Sequence, residues 1–281
     1  MSGNTSRAGQ AARAGSAGRA GTLGPSERDA IVARVIAALE AHARPIEGLD
    51  PDRYFRTSTK TTFLNTGTPF MRALGKALAR EHRADWSLAD VVGLVDVLVR
   101  DTRFDVKSVG IELLACFQRQ FTPALLPTVK RWLAGDHCAN WATTDALCGY
   151  VIGPLLLTHP ELVSVVASWC THRNMWVRRA SAVALIKPAV TARGHALDAA
   201  YEVATSLRRD GHDLIHKAVG WLLREAGKAD STRLEQYLRE GGDAIPRTTL
   251  RYAIERFSPE QRRELLEATR GTPRRLRAPT C

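Results

Sequence analysis

Helical periodicity from residue 25 to residue 270 constrains the fold more than any other feature of the sequence. Apolar residues recur at amphipathic helical spacing, and no segment alternates with period two for long enough to form a strand. Pairs of predicted helices, each about 12–18 residues long, recur roughly every 35–40 residues, which is typical of HEAT-type repeats. The sequence therefore predicts an all-α protein, a HEAT-like helical-repeat solenoid with one concave face.

Most helix boundaries follow from the same pattern. The predicted helices cover 26–43, a segment that starts near Thr68, 87–101, 105–120, 123–135, 139–157, 160–172, 174–190, 195–210, 212–228, 231–241, 246–257 and 259–269. Ser26 and Thr68 are candidate N-caps, with Pro69 in the first turn of its helix. The polar, Thr-rich stretch 50–67 is interpreted as a surface loop, with phosphate binding at the next helix start as the alternative.

The two ends of the chain differ from its centre. Residues 1–24 and 271–281 each contain three arginines and no acidic residue, and we expect 1–24 to be a disordered basic tail. Removing these six arginines from the formal net charge of +11 leaves +5 for residues 25–270, which are expected to form a single domain. A basic domain predicts a polyanionic partner, nucleic acid before membrane, and the solenoid's concave face is expected to be the basic one.

Other site classes find no support in the sequence. The five cysteines include no CxxC pair, so neither a disulfide framework nor a zinc site is expected, and no cofactor is predicted. No apolar run is long enough for a transmembrane helix, and the N-terminus has no apolar signal core. The expected localisation is cytoplasmic.

The stretch 140–187 contains an unusual set of residues for a helical core. Trp141 and Asp145 are four residues apart and share one face of a predicted helix. The small residues between them would let a ring and a carboxylate project together. The alternative is a core tryptophan with a surface acid near the helix start.

Arginines follow on a later predicted helix. Arg178 and Arg179 point about 100° apart, so one of them can face the groove while the other faces solvent or a neighbour. A planar guanidinium at a groove suits phosphate, and Lys187 lies on roughly the same face as Arg179. A solvated basic face is the alternative.

The segment HKAVGWLLRE again places an aromatic residue beside a cation that could bind phosphate. Trp221 follows Gly220, which removes side-chain bulk and opens space, and Arg224 lies on the same helix face. Lys217 joins the candidate DNA-binding cations. The alternative is that Trp221 is a core residue.

Taken in order, NWATTD, NMWVRRASAVALIK and HKAVGWLLRE resemble the AlkD-type DNA alkylation repair glycosylases, which are HEAT-like repeat proteins. The upstream FLNTGTPFMRALGKAL resembles that family's N-terminal motif, and the resemblance spans about residues 54–228. One departure is the run Asn65, Thr66, Gly67, because the family's glycine precedes a hydrophobic residue.

The resemblance implies roles for individual residues. Trp141 and Trp221 would pack on the lesion nucleotide, and Asp145 would be the catalytic carboxylate. Arg179 would grip a phosphate, and Lys187 and Arg224 would make further backbone contacts.

These inferences lead to a function. We expect a monofunctional DNA N-glycosylase, most simply a monomer, that excises cationic N3- or N7-alkylated purines from duplex DNA and so starts base excision repair. The family resemblance also implies recognition without a deep base pocket, which would admit bulky adducts. The alternative is a non-catalytic HEAT-like protein that binds damaged or branched DNA.

Overall fold

A computed structural model of the chain describes residues 23–48, 50–191 and 194–270. Within these ranges the protein is helical, and Thr62 and Arg103 form an isolated β-bridge rather than a strand. The α-helices are α1 (Pro25–Ala41), α2 (Pro51–Phe55), α3 (Thr68–His82), α4 (Leu88–Leu98), α5 (Phe104–Ala115), α6 (Leu125–Ala134), α7 (Trp141–Leu147), α8 (Gly153–Thr158), α9 (Val163–Ala167), α10 (Met175–Val183), α11 (Ile186–Thr191), α12 (Gly194–Ser206), α13 (Asp213–Ala226), α14 (Ser231–Gly241), α15 (Arg247–Ala253) and α16 (Pro259–Ala268). The all-α prediction is confirmed.

Short irregular helices join several of these elements. A π-helical turn at Cys148–Ile152 links α7 to α8 without a break in the chain direction. The 3₁₀ turns are Gln118–Gln120, Pro160–Leu162, Ser168–Thr171, Leu207–Arg209 and Gly242–Ala244.

Local signals explain most helix boundaries. Helix α1 starts at Pro25 with Gly24 as its N-cap, so Ser26 is not the cap, because a proline with fixed φ suits the first helical position. Helix α3 starts at Thr68 with Gly67 as its N-cap, so Thr68 is not the cap. The φ of 84° at Gly67 is one that glycine adopts without strain. The predicted helix 174–190 is two helices, because Pro188 cannot hydrogen bond to the carbonyl of Ala184.

The helices pack in two layers. One layer runs through α3, α5, α7, α10, α13 and α15, each packed on the next. Outer helices cover it: α1 and α4 pack on α5, α6 and α9 on α10, and α12 and α14 on α13. This alternation of inner and outer helices is consistent with a helical-repeat solenoid.

The apolar core lies between the layers and extends to the first described residue. Leu23, assigned to the basic tail from the sequence, is 5% exposed, and its N–H donates to Asp90 Oδ1 over 2.8 Å. The rest of both predicted tails, 1–22 and 271–281, lies outside the described residues. In the ranges that the structure describes, no single helix is long and apolar enough to cross a membrane; the bent pair Trp141–Thr158 and Pro160–Thr171 passes that test only when joined.

Candidate functional site

Helix α7 holds the first two predicted site residues in place through its N-cap. The buried Asn140 side chain accepts from the Thr143 N–H over 2.9 Å, which fixes the first turn. Trp141 is the first residue of α7, and Asp145 follows one turn later on the same face. Both side chains are half-buried and open into a groove of the inner layer.

Asp145 and Arg179 form a bidentate ion pair between α7 and α10. Arg179 Nε donates to Asp145 Oδ1 over 2.9 Å, and Arg179 Nη2 donates to Oδ2 over 2.8 Å. The third donor, Nη1, reaches the Leu214 carbonyl on α13. Arg179 is only 5% exposed, so the guanidinium primarily holds the carboxylate and joins three inner helices.

The protonation of Asp145 is set by two opposing effects. Burial raises the pKa of the Asp145 carboxyl above its ordinary value of 3.8, while the adjacent Arg179 charge and its hydrogen bonds oppose that rise. The Asp145 carboxylate is therefore desolvated, but its charge is paired with that of Arg179.

Trp141 is fixed by contacts with α2. Its Nε1–H donates to the Tyr54 carbonyl over 2.9 Å. The ring of Phe55 stacks on it with centroids 5.7 Å apart, and Tyr54 meets it edge-on at the same distance. Trp141, Tyr54 and Phe55 thus form an aromatic wall on one side of the groove, and their contacts with each other hold it in place.

Helix α13 supplies the second predicted tryptophan. Trp221 is half-buried and follows Gly220, where an added Cβ would lie 2.5 Å from Tyr252 Cβ and 2.8 Å from the Thr249 carbonyl oxygen. The space that Gly220 leaves open is thus occupied by α15. Gly220 allows the close packing of α15 on α13.

Two adjoining cavities occupy the groove, and Tyr54, Trp141 and Trp221 line both. The larger, of about 760 Å³, is here called the cationic cavity; its described lining residues include the cations Arg53, Arg56, Arg179, Lys217 and Arg224, with Asp50 as the carboxylate. The smaller, of about 530 Å³, is called the aromatic cavity; its lining includes Phe55, Phe104, Met71, Ile111, Glu112, Asp145 and Tyr150.

Most of the predicted site residues converge on these cavities. Trp141, Trp221, Arg179, Lys217 and Arg224 line the cationic cavity. Asp145 lines the aromatic cavity together with both tryptophans. The side chains that would bind a lesion and a DNA backbone therefore adjoin each other.

Two predicted DNA-binding residues lie elsewhere. Arg178 Nε donates to Asp210 Oδ2 over 2.6 Å, and its Nη1 donates to the carbonyls of His172 and Arg173. Lys187 is exposed on α11 and lines neither cavity. Their DNA contacts stay predictions, whereas Arg179 is the arginine of the adjacent pair that faces the groove.

Helix α2 carries groove residues that the sequence reading assigned to a loop. Arg53 and Tyr54 project from it, and Arg56 follows at its end with φ of 53°. Asp50 caps the helix by accepting from the Arg53 N–H over 3.2 Å, and Pro51 is its first residue. This Asp-Pro pair is a helix-start signal that could have revealed α2.

The π-helical turn adds a further groove residue. Hydrogen bonds in such a turn join residues five apart, so Tyr150 reaches the cavity that Asp145 also lines. Sequence spacing for a regular α-helix gives no sign of this placement.

Metal and thiol chemistry find no support in the described part of the chain. No group of three or more His, Cys, Asp or Glu in it is arranged to hold a metal ion. Cys138 and Cys148 are buried, Cys116 and Cys170 partly buried, and all four are free thiols; Cys281 lies outside the described residues. Burial raises the pKa of the Cys138 thiol to about 12, which makes it unreactive.

Comparisons with known proteins identify a family and a similar fold. A family model described as DNA alkylation repair enzyme matches residues 35–257. A solved structure, a predicted DNA alkylation repair enzyme from Enterococcus faecalis, is similar with a TM-score of 0.64 and 20% identity, covering 74% of this chain and 93% of that chain. At this identity the likeness shows the fold. No curated protein sequence matches the chain.

Proposed function

The chain belongs to the DNA alkylation repair enzyme family, and from this premise we propose that it is a monofunctional DNA glycosylase of the AlkD type. Its proposed substrates are duplex DNAs that contain cationic N3- or N7-alkylated purines. The observation that carries the proposal is a desolvated carboxylate, Asp145, that lines one cavity together with two tryptophans, beside a cation-lined cavity.

The proposed reaction is hydrolysis of the bond between the sugar C1′ and the purine nitrogen. The alkylated base already carries a positive charge, so the electron pair of the breaking bond leaves with the base and neutralises it. No general acid is required for this departure. A water oxygen forms the new bond to C1′ and gives up its proton to Asp145 or to solvent.

Asp145 would act on the sugar as positive charge develops there. A carboxylate held in a partly dry site interacts with such a charge more strongly than one in water. Its bidentate contact with Arg179 fixes its orientation before substrate arrives. The same oxygens can orient the attacking water.

The two tryptophans would recognise the charge of the lesion. Indole faces attract cations by roughly 0.5–2 kcal/mol each, depending on desolvation. Trp141 is held by the Tyr54 carbonyl, so its ring is in place without an entropic cost on binding. A neutral, undamaged purine would gain less from the same surface.

The cationic cavity would hold the DNA backbone. Arg53, Arg56 and Lys217 lie at its rim, where guanidinium and ammonium groups suit phosphate oxygens. The described lining of the aromatic cavity includes no lysine, and Lys217 lines the adjoining cationic cavity. The proposal of a monofunctional enzyme therefore assigns Lys217 to a phosphate contact rather than to a Schiff base.

The decisive test is release of 7-methylguanine from methylated duplex DNA by the Asp145→Asn variant. The amide keeps the shape of the carboxylate but not its charge, so we expect release to fall by at least about 100-fold. DNA binding should change little. An equivalent substitution at an exposed carboxylate on α12, Asp198→Asn, should leave release unchanged.

Near-wild-type release by Asp145→Asn would remove Asp145 from the chemistry. Tight binding of methylated DNA without any release by the wild-type protein would instead identify a damage-binding protein. Thermal unfolding of each variant checks that lost release is not lost folding.

A further inference from the structure

A second polar cluster lines the aromatic cavity, in addition to the Asp145–Arg179 pair. Arg72 on α3 donates from Nε to Glu112 Oε1 on α5 over 3.1 Å. The same guanidinium donates from Nη2 to the Tyr150 hydroxyl over 3.0 Å. Glu112 and Tyr150 both line the aromatic cavity.

The donor of this cluster that remains available at the cavity is the hydroxyl of Tyr150. Arginine can only donate, so the Tyr150 oxygen accepts from Arg72 and keeps its own O–H free. No residue in the described part of the chain accepts that hydrogen within hydrogen-bond distance. A charged donor on the oxygen also polarises the O–H group and strengthens it as a donor.

The remainder of the cavity is apolar and large. Phe55, Phe104, Met71 and Ile111 contribute to its walls, and Tyr150 itself is 38% exposed. Its volume of about 530 Å³ is several times the cavity of about 150 Å³ that binds benzene in another protein. A methyl group on the lesion base would make much less use of these apolar walls than a longer apolar substituent would.

Building on the function proposed above, we infer that Tyr150 is a specificity-determining residue for adducts with an extended, largely apolar substituent that bears a hydrogen-bond acceptor. The substituent would occupy the apolar walls, and its acceptor, such as a ketone oxygen, would receive the Tyr150 O–H. Arg72 is a positioning residue that acts through Tyr150, and Glu112 holds Arg72.

The inference predicts discrimination between two adducts of similar size. The probes are defined duplexes with one 7-phenacylguanine, which has a ketone, or one 7-(2-phenylethyl)guanine, which has none. A 7-methylguanine duplex serves as the reference. Single-turnover base release is measured for the wild-type protein, Tyr150→Phe and a matched control, Tyr237→Phe, on α14.

We expect Tyr150→Phe to lose activity only on the duplex whose adduct contains a ketone. Tyr150→Phe should lower release of 7-phenacylguanine about five- to tenfold, the effect of one hydrogen bond. Release of the other two bases should stay within about twofold, by the same principle. Differences in leaving-group quality cancel, because each variant is compared with wild type on the same substrate. Tyr237→Phe should match wild type on all three.

A double-mutant cycle tests the role assigned to Arg72. Arg72→Met should reduce the ketone-specific advantage when Tyr150 is present and add little in the Tyr150→Phe background. Equal, additive losses on all three substrates would indicate a merely structural role for the cluster.

The outcomes separate this inference from the proposed function. No release of any base by the wild-type protein would contradict the glycosylase assignment itself. Release of 7-methylguanine with no effect of Tyr150→Phe on the ketone would overturn the inference alone, as would an equal loss on the phenylethyl isostere.

Discussion

The ion pair of Asp145 with Arg179 leads to a prediction for the pH dependence of the proposed reaction. Burial raises the pKa of Asp145 above 3.8, and the proposed chemistry needs the ionised carboxylate. As pH falls through that raised pKa the carboxylate is protonated, so base release should be lost on the acid side. The midpoint should lie above that of an ordinary aspartate.

Replacing Arg179 by glutamine should shift the acid limb, the loss of base release at low pH, to a higher pH. The nearby cation opposes the effect of burial, so its removal should raise the midpoint of the acid limb above that of the wild-type protein. The measurement is single-turnover release against pH, corrected for spontaneous depurination. Arg178→Gln is the matched control, because Arg178 pairs with Asp210 instead, and its midpoint should equal that of wild type. Coincident limbs for both variants would contradict the assigned role of Arg179.

For single residues, the sequence predicted which side chains belong to the candidate site better than it predicted which side chains they contact. Trp141, Asp145 and Trp221 were predicted to share a site, and all three line the aromatic cavity. The burial of Arg179 against Asp145 was missed, because a contact between residues 34 positions apart depends on how α7 and α10 pack. Helical spacing reports only neighbours within the same helix.

Two small elements, α2 and the π-helical turn, shape the groove. Their five-residue lengths leave too few periodic positions for a pattern to emerge, whereas the long helices were predicted closely. The turn chemistry of Asp50 and Pro51 was informative, but the widened turn at Tyr150 has no comparable local signal.

The contact between α13 and α15 gives an element-scale prediction. Gly220→Ala places a Cβ 2.8 Å from a backbone oxygen, so α15 must shift. We expect a loss of about 1–3 kcal/mol in the free energy of unfolding, despite the better helix propensity of alanine. Each kcal/mol corresponds to roughly 2–4 °C in melting temperature at this size.

Gly149→Ala provides the comparison for that melting experiment. Gly149 is exposed and an added Cβ would meet nothing within 4 Å, so its variant should melt no lower than wild type. A Gly220→Ala protein as stable as Gly149→Ala would show that α15 is not packed as described.

At the scale of the whole molecule, the packing of the inner helices divides the groove into the cationic cavity and the aromatic cavity. Its helices, together with α2, place cations in one cavity and aromatic rings in the next. The sequence predicted a solenoid and a basic concave face from its helix pattern and charge. It could not predict the division, because that depends on which residues the packing of several helices brings to each side.

The proposed backbone contacts predict a change in salt dependence. Arg56 and Lys217 both pair with Asp213 at the cationic cavity. If each also neutralises one phosphate, Arg56→Ala or Lys217→Ala should reduce the log–log salt slope of duplex binding by about 0.9. Arg239→Ala, on the outer helix α14, should leave the slope unchanged. Slopes equal to wild type in both groove variants would contradict these contacts.

The ion pair between Asp145 and Arg179 also limits how such a protein can lose its activity over time. The carboxylate proposed to perform the reaction is the partner of an arginine that is 5% exposed. Removing it alone would leave a buried charge unpaired, at a cost of about 3–5 kcal/mol. Replacing both residues by well-packed apolar ones can be neutral for folding. A purely DNA-binding descendant of this chain that lacks the Asp145 side chain is therefore stabilised by a second, coupled substitution at Arg179, and the fold itself opposes truncation of Asp145 in a single step.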